Sequence, residues 1–222
     1  MNLIKLSDRI WYSEYETERD RPSLGYIRGD HWSIAVDAGH SARHVDEFYE
    51  ALKKEDLPLP KITVITHWHW DHAFGMHRIS GLSAANVRTE HHLKEMAEEI
   101  SLSGTERFFS IDPSIGKEYA GGEPVVIVGP DIVFDGDMTL DPGGIRVQLI
   151  TSVSPHTDDS TLVFIPEEKV LFLGDSTSGE FPTWEADPEK KAALIETLDK
   201  IDADRFIHGH WEPVGREQIP FD

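Results

Sequence analysis

The chain has 222 residues, of which 39% are hydrophobic and 28% are charged, so its composition is that of a single globular domain with enough apolar side chains for a core. Its 41 acidic residues outnumber the 21 basic ones, and the formal net charge of −20 argues against nucleic acids and anionic membranes as partners. No cysteine is present, which excludes disulfides and thiolate nucleophiles and leaves histidine and carboxylate as the side chains able to bind a metal ion. The N-terminal residues lack a signal-peptide pattern and no apolar run reaches the length of a membrane span, so we expect a soluble cytoplasmic protein.

The first part of the chain predicts a small sheet followed by a helix. Residues 3–15 predict two short strands, and residues 24–39 predict a hairpin with its turn at Gly29-Asp30. Apolar residues recur at helical spacing over residues 41–55, which predicts a helix with Ser41 as its N-cap. The β-branched run "KITVIT" then predicts a buried strand.

The remainder predicts alternating helices and strands. A short helix near residues 75–80 and a strand near Val87 precede the helical segment "EHHLKEMAEEIS", and the Gly- and Pro-containing residues 103–124 predict a loop or lid. Two packed sheets with helices outside, in one domain over residues 1–222, account for this order of elements. The later elements are strands at 125–128, 131–134, 145–151, 161–165 and 169–175, a helix at 187–201 and a last short strand in "RFIHGH".

The densest group of metal-binding side chains follows the strand "KITVIT", in the stretch "THWHWDH". His67 and His69 are two residues apart, so in extended backbone their side chains point the same way and can converge on one ion. Asp71 and His72 come after the chain turns and can face a second ion. A solvated histidine-rich loop is the alternative, but this density directly after a buried strand favours a metal site. Imidazole and carboxylate suit Zn²⁺, and also Fe or Mn.

Three further candidate ligands follow later apolar runs. His156 in "TSVSPHTDDS" follows the strand at 145–151, Asp175 ends the run "VLFLGD", and His210 in "FIHGHWEP" follows the last strand. An unpaired carboxylate at the end of a buried strand would otherwise be costly. This placement predicts that all of these side chains meet at one edge of the sheets.

In this order, "THWHWDH", "SPHTDDS", "FLGD" and "HGH" resemble the motifs of the metallo-β-lactamase fold superfamily across nearly the whole chain. The resemblance implies an α/β (α+β) fold, a four-layer αββα sandwich of two mixed β-sheets with helices on the outer faces. It implies that Asp37, in "SIAVDAG", supports the site without binding metal. It further implies two divalent metal ions, with zinc as the first expectation, and these ligands: His67, His69 and His156 for one ion, Asp71, His72 and His210 for the other, and Asp175 bridging the two.

A dinuclear site of this type implies a hydrolase in which the two ions share a hydroxide that attacks the substrate. Asp71 is the implied catalytic residue, because it both binds metal and orients the nucleophile or passes a proton to the leaving group. Asp175 stands where some β-lactamases have a cysteine ligand, which resembles the hydroxyacylglutathione hydrolase and lactonase branch. The sequence ends twelve residues after His210, so we do not expect that branch's C-terminal domain.

The expected partner is therefore a small-molecule substrate: an ester, a thioester or a lactone. A phosphodiesterase or β-lactam hydrolase using the same site is the alternative within enzymes, and a non-catalytic metal-binding or scaffold protein is the alternative of another class. A di-iron redox protein fits less well, because His69 stands where that branch has a glutamate. The native metal and the oligomeric state are left open by the sequence.

Aromatic residues near the ligands divide into two groups. Trp68 and Trp70 alternate with ligands, so we expect them to face away and pack the outer wall of the site. Phe181 and Trp184, in the loop after Asp175, and Trp211, beside His210, are candidates for a substrate pocket, since such pockets are usually aromatic and apolar.

Several polar residues near the motifs have more than one interpretation. His208 competes with His210 as a ligand, although the Gly-His order favours His210. His40, just beyond Asp37, either supports the site or lies on the surface, and His44 is expected to be an ordinary helix or surface residue. Asp158 and Asp159 are expected to add negative charge near the mouth of the site and so to disfavour strongly anionic substrates.

Overall fold

Two β-sheets pack face to face at the centre of the computed structural model, which describes residues 1–221. In the first sheet the first four strands are antiparallel and the remaining pairs are parallel. This sheet contains, in spatial order, β1 (Leu3–Lys5), β2 (Ile10–Ser13), β3 (Gly25–Arg28), β4 (Ser33–Val36), β5 (Ile62–Val64), β6 (Leu82–Asn86) and β7 (Ile132–Phe134).

The second sheet has five strands, of which only the pair formed by the last two in the chain is parallel. Its spatial order runs against the chain, from the last strand at one edge to the first at the other. In chain order its strands are β8 (Met138–Leu140), β9 (Val147–Thr151), β10 (Thr161–Ile165), β11 (Val170–Gly174) and β12 (Arg205–His208).

Within residues 1–221, six α-helices cover the outer faces and one end of the sandwich. They are α1 (Ala42–Lys54), α2 (Trp70–Ala73), α3 (Val87–Ser103), α4 (Glu106–Phe109), α5 (Pro113–Glu118) and α6 (Pro188–Asp199), and short 3₁₀ helices occupy Phe74–Arg78 and Arg216–Gln218.

Local sequence explains the longer helices. The Ser41 side chain accepts a hydrogen bond from the His44 backbone N–H at the start of α1, and Lys53 and Lys54 lie in its last turn, where the helix dipole favours positive charge. Asp187 caps α6 in the same way and is followed by proline at the first helical position.

Three apolar layers hold the sandwich together. Between the sheets, side chains such as Ile34 and Val64 pack against Val163 and Phe172. Helix α1 covers the outer face of the first sheet through Phe48 and Leu52, and α6 covers the second through Leu194 and Leu198. Each strand therefore has both faces buried, except at the edges, and the predicted four-layer αββα sandwich is confirmed.

Details of the second half differ from the sequence predictions. Residues 125–128 form no strand: their apolar side chains pack beside α3 and α5 without a ladder partner, so an apolar run alone was misleading. The three-residue strand β8 was missed, because it is short and only partly buried. The strand predicted near Val87 is β6, which ends at Asn86, while Val87 itself begins α3 with Asn86 as its N-cap. The 103–124 segment contains the short helices α4 and α5.

None of the helices described over residues 1–221 is both long and apolar enough to cross a lipid bilayer.

Candidate metal centre

The candidate ligands lie at one edge of the sandwich, where five strands end. Asp37 directly follows β4, and the "THWHWDH" stretch follows β5. His156, Asp175 and His210 come after β9, β11 and β12. Strand ends from both sheets thus deliver these side chains to a common place, as the sequence predicted.

Asp37 organises the loop after β5. Its Oδ1 accepts a hydrogen bond from the Thr66 backbone N–H at 2.7 Å, and its Oδ2 accepts from the Thr66 hydroxyl at 2.9 Å. The same Oδ2 accepts from His72 Nδ1–H at 2.8 Å. Since a carboxylate only accepts, His72 carries its proton on Nδ1 and directs Nε2 toward Asp71 and Asp175, as a metal-binding histidine requires.

The first donor group consists of three buried imidazoles, and we call it the three-histidine group: His67, His69 and His156. His67 Nε2 lies 3.2 Å from His69 Nδ1, and His156 Nε2 lies 2.9 Å from the same atom. His156 Nδ1–H donates to the Gly179 carbonyl at 2.8 Å, and His67 Nδ1 lies 3.1 Å from the Thr66 hydroxyl. These outer contacts leave the lone pairs of the inner nitrogens facing one another.

The second donor group contains two imidazoles and two carboxylates, and we call it the mixed group: Asp71, His72, Asp175 and His210. Asp71 Oδ2 lies 3.2 Å from His72 Nε2 and 3.0 Å from His210 Nε2. Asp175 Oδ1 lies 3.3 Å from His72 Nε2, and its Oδ2 lies 3.2 Å from His210 Nε2.

Asp175 also faces the three-histidine group, because its Oδ2 is 3.9 Å from His156 Nε2. Its position between the groups is the one that the sequence assigned to a bridging ligand. Gly209 makes this close approach possible: a Cβ atom there would lie 2.3 Å from Asp175 Oδ1 and 2.8 Å from the His72 ring. The order His-Gly-His at the end of β12 is therefore required by packing around Asp175.

The two groups differ in charge. Burial lowers the pKa of His67 to well below its usual value and that of His69 to about 3, and the neighbouring imidazoles lower both further, so these rings are neutral at physiological pH. In the mixed group burial acts the same way on the histidines, but Asp175 and Asp71 outweigh it and raise the pKa of His72 and His210 well above the usual value. The negative charge of this group thus calls for a positive counter-charge.

Divalent metal ions fit both groups. In a tetrahedral site with metal–nitrogen bonds near 2.0–2.1 Å, neighbouring nitrogens lie about 3.3 Å apart, close to the spacing within the three-histidine group. His72 Nε2 and Asp175 Oδ1 are buried and lack a hydrogen-bond partner within the described residues. Buried polar atoms of this kind are costly unless a ligand satisfies them, and a cation would satisfy both.

A cavity of about 150 Å³ opens beside the two groups. Its wall includes members of both groups and residues from three loops: Asp20, His69, Trp70, Asp71, Asp112, His156, Asp175, Ser178, Phe181, Trp184 and His210. The two loop segments 103–124 and 176–186 both contribute to it, through Asp112 and through Phe181 and Trp184.

Two predictions about aromatic residues are corrected by this cavity. Trp211 does not line it: its ring stacks on His208, with centroids 4.5 Å apart, and packs with the apolar cluster under α6. Trp70 does line it, because α2 begins at Trp70 and turns the side chain out of the strand alternation on which the prediction rested. Trp68 packs on His92, as expected of a residue on the outer wall.

The structure also shows where four polar residues near the motifs lie: His44, Asp158, Asp159 and His208. His208 is buried and accepts from the His210 backbone N–H at 3.0 Å, so it supports the loop that carries His210. His44 lies in helix α1, one of the two expected places, and is fully buried there, accepting from the His40 backbone N–H. Asp159 is buried between the Thr89 and Thr157 hydroxyls, so of the two neighbouring acids only Asp158 is exposed to solvent.

Sequence reasoning missed Asp20 and Asp112, which line the cavity but lie in loops without a recognisable motif. Asp20 Oδ1 lies 3.7 Å from His210 Nδ1, and burial together with Asp71 raises the pKa of Asp20 to about 7. Asp112 caps α5, and the Asp-Pro pair at 112–113 was the one available signal for that cap.

A buried ionic cluster beside the site was also missed. Arg21, 2% exposed, donates from Nε and Nη2 to the Glu118 carboxylate at 2.8 and 2.9 Å and from Nη1 to Glu47 at 3.0 Å. The Ser41 hydroxyl and Arg43 also contact Glu118. This Arg21–Glu118 cluster ties the loop that carries Asp20 to α1 and α5.

Comparisons with known proteins agree with this geometry. The chain is 26% identical over 181 residues to "Beta-lactamase-like protein 2 homolog" of Caenorhabditis elegans, a match covering 80% of this chain and 51% of that protein, so the chain spans about half of that relative's length. It is 23% identical to "Acyl-coenzyme A thioesterase MBLAC2" of Homo sapiens over 96% of this chain and 82% of that protein.

Among solved structures, a metallo-beta-lactamase from Pontibacter korlensis superposes with a TM-score of 0.74 at 19% identity, covering 97% of this chain and 94% of that one. The family profile of the metallo-beta-lactamase superfamily matches residues 22–210, which include every candidate ligand. With the two donor groups at the strand ends, these matches establish that the chain belongs to the metallo-β-lactamase superfamily.

Proposed function

We propose that this protein is a dinuclear metal-dependent hydrolase that cleaves a small ester, thioester or lactone. The observation that carries the proposal is the convergence of two complete donor groups on the wall of one cavity. A thioester is the first choice within this set, because one of the relatives over nearly the whole chain is named an acyl-coenzyme A thioesterase.

The three-histidine group would hold one divalent ion and the mixed group the other, with Asp175 between them. Zinc is the proposed metal, since a set of three imidazoles is typical of catalytic zinc, and Fe and Mn are the alternatives. When bound, such ions supply Lewis acidity and lower the pKa of water toward about 7.

Asp71 is the proposed catalytic residue. It is the one carboxylate that belongs to the mixed group, lies at the start of a helix and lines the cavity, and its Oδ2 contacts both His72 and His210. From this position its carboxylate can orient the attacking nucleophile and pass a proton to the leaving group. Asp37 positions His72, which in turn fixes Asp71.

The cavity wall performs two further tasks. Trp70 and Phe181, whose rings meet at 83° with centroids 5.3 Å apart, give it an apolar side that excludes water from the acyl group. The volume of about 150 Å³ is below that of cavities for drug-sized ligands, which suits the acyl part of a substrate.

Metal analysis of the purified protein tests the metal centre. We expect close to two divalent ions per chain, and substantially less in a His67→Ala variant, because that histidine belongs to the three-histidine group. His91→Ala is the matched control, since His91 is exposed on α3. Equal metal content below one ion per chain in all three proteins would contradict the proposal.

A substrate panel tests the reaction. Thioesters, esters, lactones, β-lactams and phosphodiesters are compared by kcat/KM with the metal-loaded protein, and we expect the first three classes to be favoured. Loss of that activity in His67→Ala and its retention in His91→Ala would attribute it to this site. A preference for a phosphodiester, or no turnover of any class by protein with full metal content, would overturn the proposed reaction.

A further inference from the structure

The cavity beside the donor groups is rich in carboxylates. Its wall carries four carboxylates, and no lysine or arginine of the described chain belongs to it. Asp71 and Asp175 are members of the mixed group and would be neutralised by bound cations. Asp20 and Asp112 lie outside both groups, but Asp20 faces His210 at 3.7 Å, so Asp112 is the carboxylate most available to a substrate.

Asp112 has a free carboxylate oxygen. Its Oδ1 accepts hydrogen bonds from the Ser114 backbone N–H at 2.8 Å and from the Ser114 hydroxyl at 2.6 Å. Among residues 1–221 its Oδ2 has neither a hydrogen-bond donor nor an ion-pair partner. The capping role thus holds the side chain in place while one oxygen stays unused.

Three aromatic side chains, Trp70, Phe181 and Trp184, also line the wall. Phe181 meets Trp70 at 83° and Trp184 at 82°, with ring centroids 5.3 and 5.6 Å apart. Trp184 also lies over the His156 ring, although 55% of it is exposed to solvent. Rings arranged as adjoining walls, together with a nearby carboxylate, are the composition of sites that bind quaternary ammonium groups through cation–π attraction.

We propose that this cavity recognises a positively charged acyl group, with a quaternary ammonium as the best-fitting head, held between Trp184, Phe181 and the Asp112 carboxylate. The inference rests on the proposed hydrolase function, since it names the substrate class of the same site. An acyl group whose head ends in carboxylate or phosphate would place that negative charge against the Asp112 carboxylate and is disfavoured.

Binding of tetramethylammonium chloride to the metal-loaded protein tests this recognition without any turnover. Tryptophan fluorescence is followed during titration, at constant ionic strength set with sodium chloride, and tert-butanol serves as the uncharged ligand of the same shape. We expect saturable binding of the cation, weakened about threefold to tenfold in Asp112→Asn and in Trp184→Leu. Asparagine caps helices as well as aspartate does, so the first variant removes charge and keeps α5.

Asp187→Asn is the matched control, because Asp187 is likewise followed by proline and caps α6, away from the cavity. It should bind tetramethylammonium like the unchanged protein. Equal binding of tert-butanol, no saturable binding of the cation, or equal affinity in Asp112→Asn and Trp184→Leu would each overturn the proposal.

Hydrolysis gives the second test, with thiophenyl esters of three acyl groups: 3-(trimethylammonio)propanoyl, its uncharged analogue 4,4-dimethylpentanoyl, and succinyl. The ratio of kcat/KM for the cationic to the neutral ester should fall about threefold to tenfold in Asp112→Asn and stay constant in Asp187→Asn. Because each variant is compared by ratio, the intrinsic reactivities of the esters cancel. Faster hydrolysis of the succinyl ester than of the cationic one would overturn the proposal.

The two tests separate this inference from the proposed function. Cation binding that depends on Asp112 and Trp184, in a metal-loaded protein that hydrolyses none of the esters, would support the cavity's selectivity and contradict the hydrolase. Hydrolysis of the esters without any preference for the cationic one would support the hydrolase and contradict the cavity's selectivity.

Discussion

The molecule contains two buried polar regions side by side, and they are satisfied in opposite ways. In the Arg21–Glu118 cluster, the central arginine donates to carboxylates from Nε, Nη1 and Nη2, so opposite charges compensate within the protein. In the donor groups, nitrogens face nitrogens at 2.9–3.2 Å, so these side chains do not compensate one another. Burial alone does not distinguish a structural cluster from a functional one.

The two regions differ in whether the protein itself compensates their negative charge. Glu118 is held ionised by Arg21 and Ser41, which lower its pKa against the opposing effect of burial, so that cluster needs nothing from outside. The mixed group holds two carboxylates whose only compensation is proton uptake by His72 and His210. Such a group is poised to exchange protons for a metal ion. The first region should therefore govern stability and the second should govern chemistry.

Asp71→Asn should have the largest effect on activity. The variant keeps the shape of the side chain but removes a carboxylate from the mixed group and from the cavity wall, so we expect kcat/KM to fall about 100-fold to 10,000-fold. Steady-state kinetics at equal metal content measure it, and circular dichroism checks the fold. Full activity in this variant would contradict the assigned role while leaving the fold intact.

Glu118→Gln should have the largest effect on stability. It leaves the buried Arg21 with the partly exposed Glu47 as its remaining ionic partner, which is expected to lower the free energy of unfolding by about 3 kcal/mol. Urea denaturation measures this, and kcat of the folded fraction should stay within a few fold. Glu16→Gln is the control: its pair with Arg19 is about a third exposed, so we expect a loss of about 1 kcal/mol or less. Equal losses in both variants would break the contrast between the regions.

The sequence was sufficient to predict the sandwich and to bring the seven candidate ligands together. The ligands lie in short motifs at strand ends, and hydrophobic patterning fixes where those strands end. Asp37 was placed by the resemblance of "SIAVDAG" to a family motif. Their convergence follows from sheet topology, which brings strand ends to a common edge.

The other features of the site depend on contacts between residues that are distant in sequence. Arg21 and Glu118 are 97 residues apart, and no local pattern links them. Asp112 reaches the cavity only because this cluster and the Tyr119–His40 hydrogen bond dock α5 against α1. Trp70 was misplaced because the alternation of an extended chain was carried one residue into α2. Patterning predicts elements, but not how loops pack on one another.

Asp37→Asn should have an intermediate effect and sharpen the contrast inside the functional region. The variant can donate to His72 Nδ1 and thereby favours the wrong tautomer, so metal affinity or kcat/KM should fall about 10-fold to 100-fold. Asp131→Asn is the matched control, because Asp131 accepts from the Ser83 backbone and hydroxyl in the same manner, away from the donor groups. Titration with zinc and a competing chelator measures affinity. Equal affinities in the two variants would show that Asp37 serves folding only.

Asp159 lies between the two kinds of region, since it is buried and its hydrogen bonds come only from neutral hydroxyls. Burial raises its pKa, whereas its neighbour Asp158 has its pKa lowered: burial opposes this, but the His92 pair and Arg88 outweigh burial. Because the pKa of Asp159 is raised, its contribution to stability is fully present below its unfolded pKa, near 3.9, and is lost as pH rises through its folded pKa. Because the pKa of Asp158 is lowered, its contribution to stability is present above its unfolded pKa and is lost as pH falls through its folded pKa.

Asp159→Asn should therefore gain stability relative to the unchanged protein as pH rises from about 3 to 6, and Asp158→Asn should lose it over the same interval. Urea midpoints at four pH values measure both variants, and the opposite signs are the test. If the stability differences of both variants changed with pH in the same direction, the Thr89 and Thr157 hydroxyls would compensate the buried Asp159 as fully as His92 and Arg88 compensate Asp158. Charge compensation would then not distinguish the Arg21–Glu118 cluster from the donor groups.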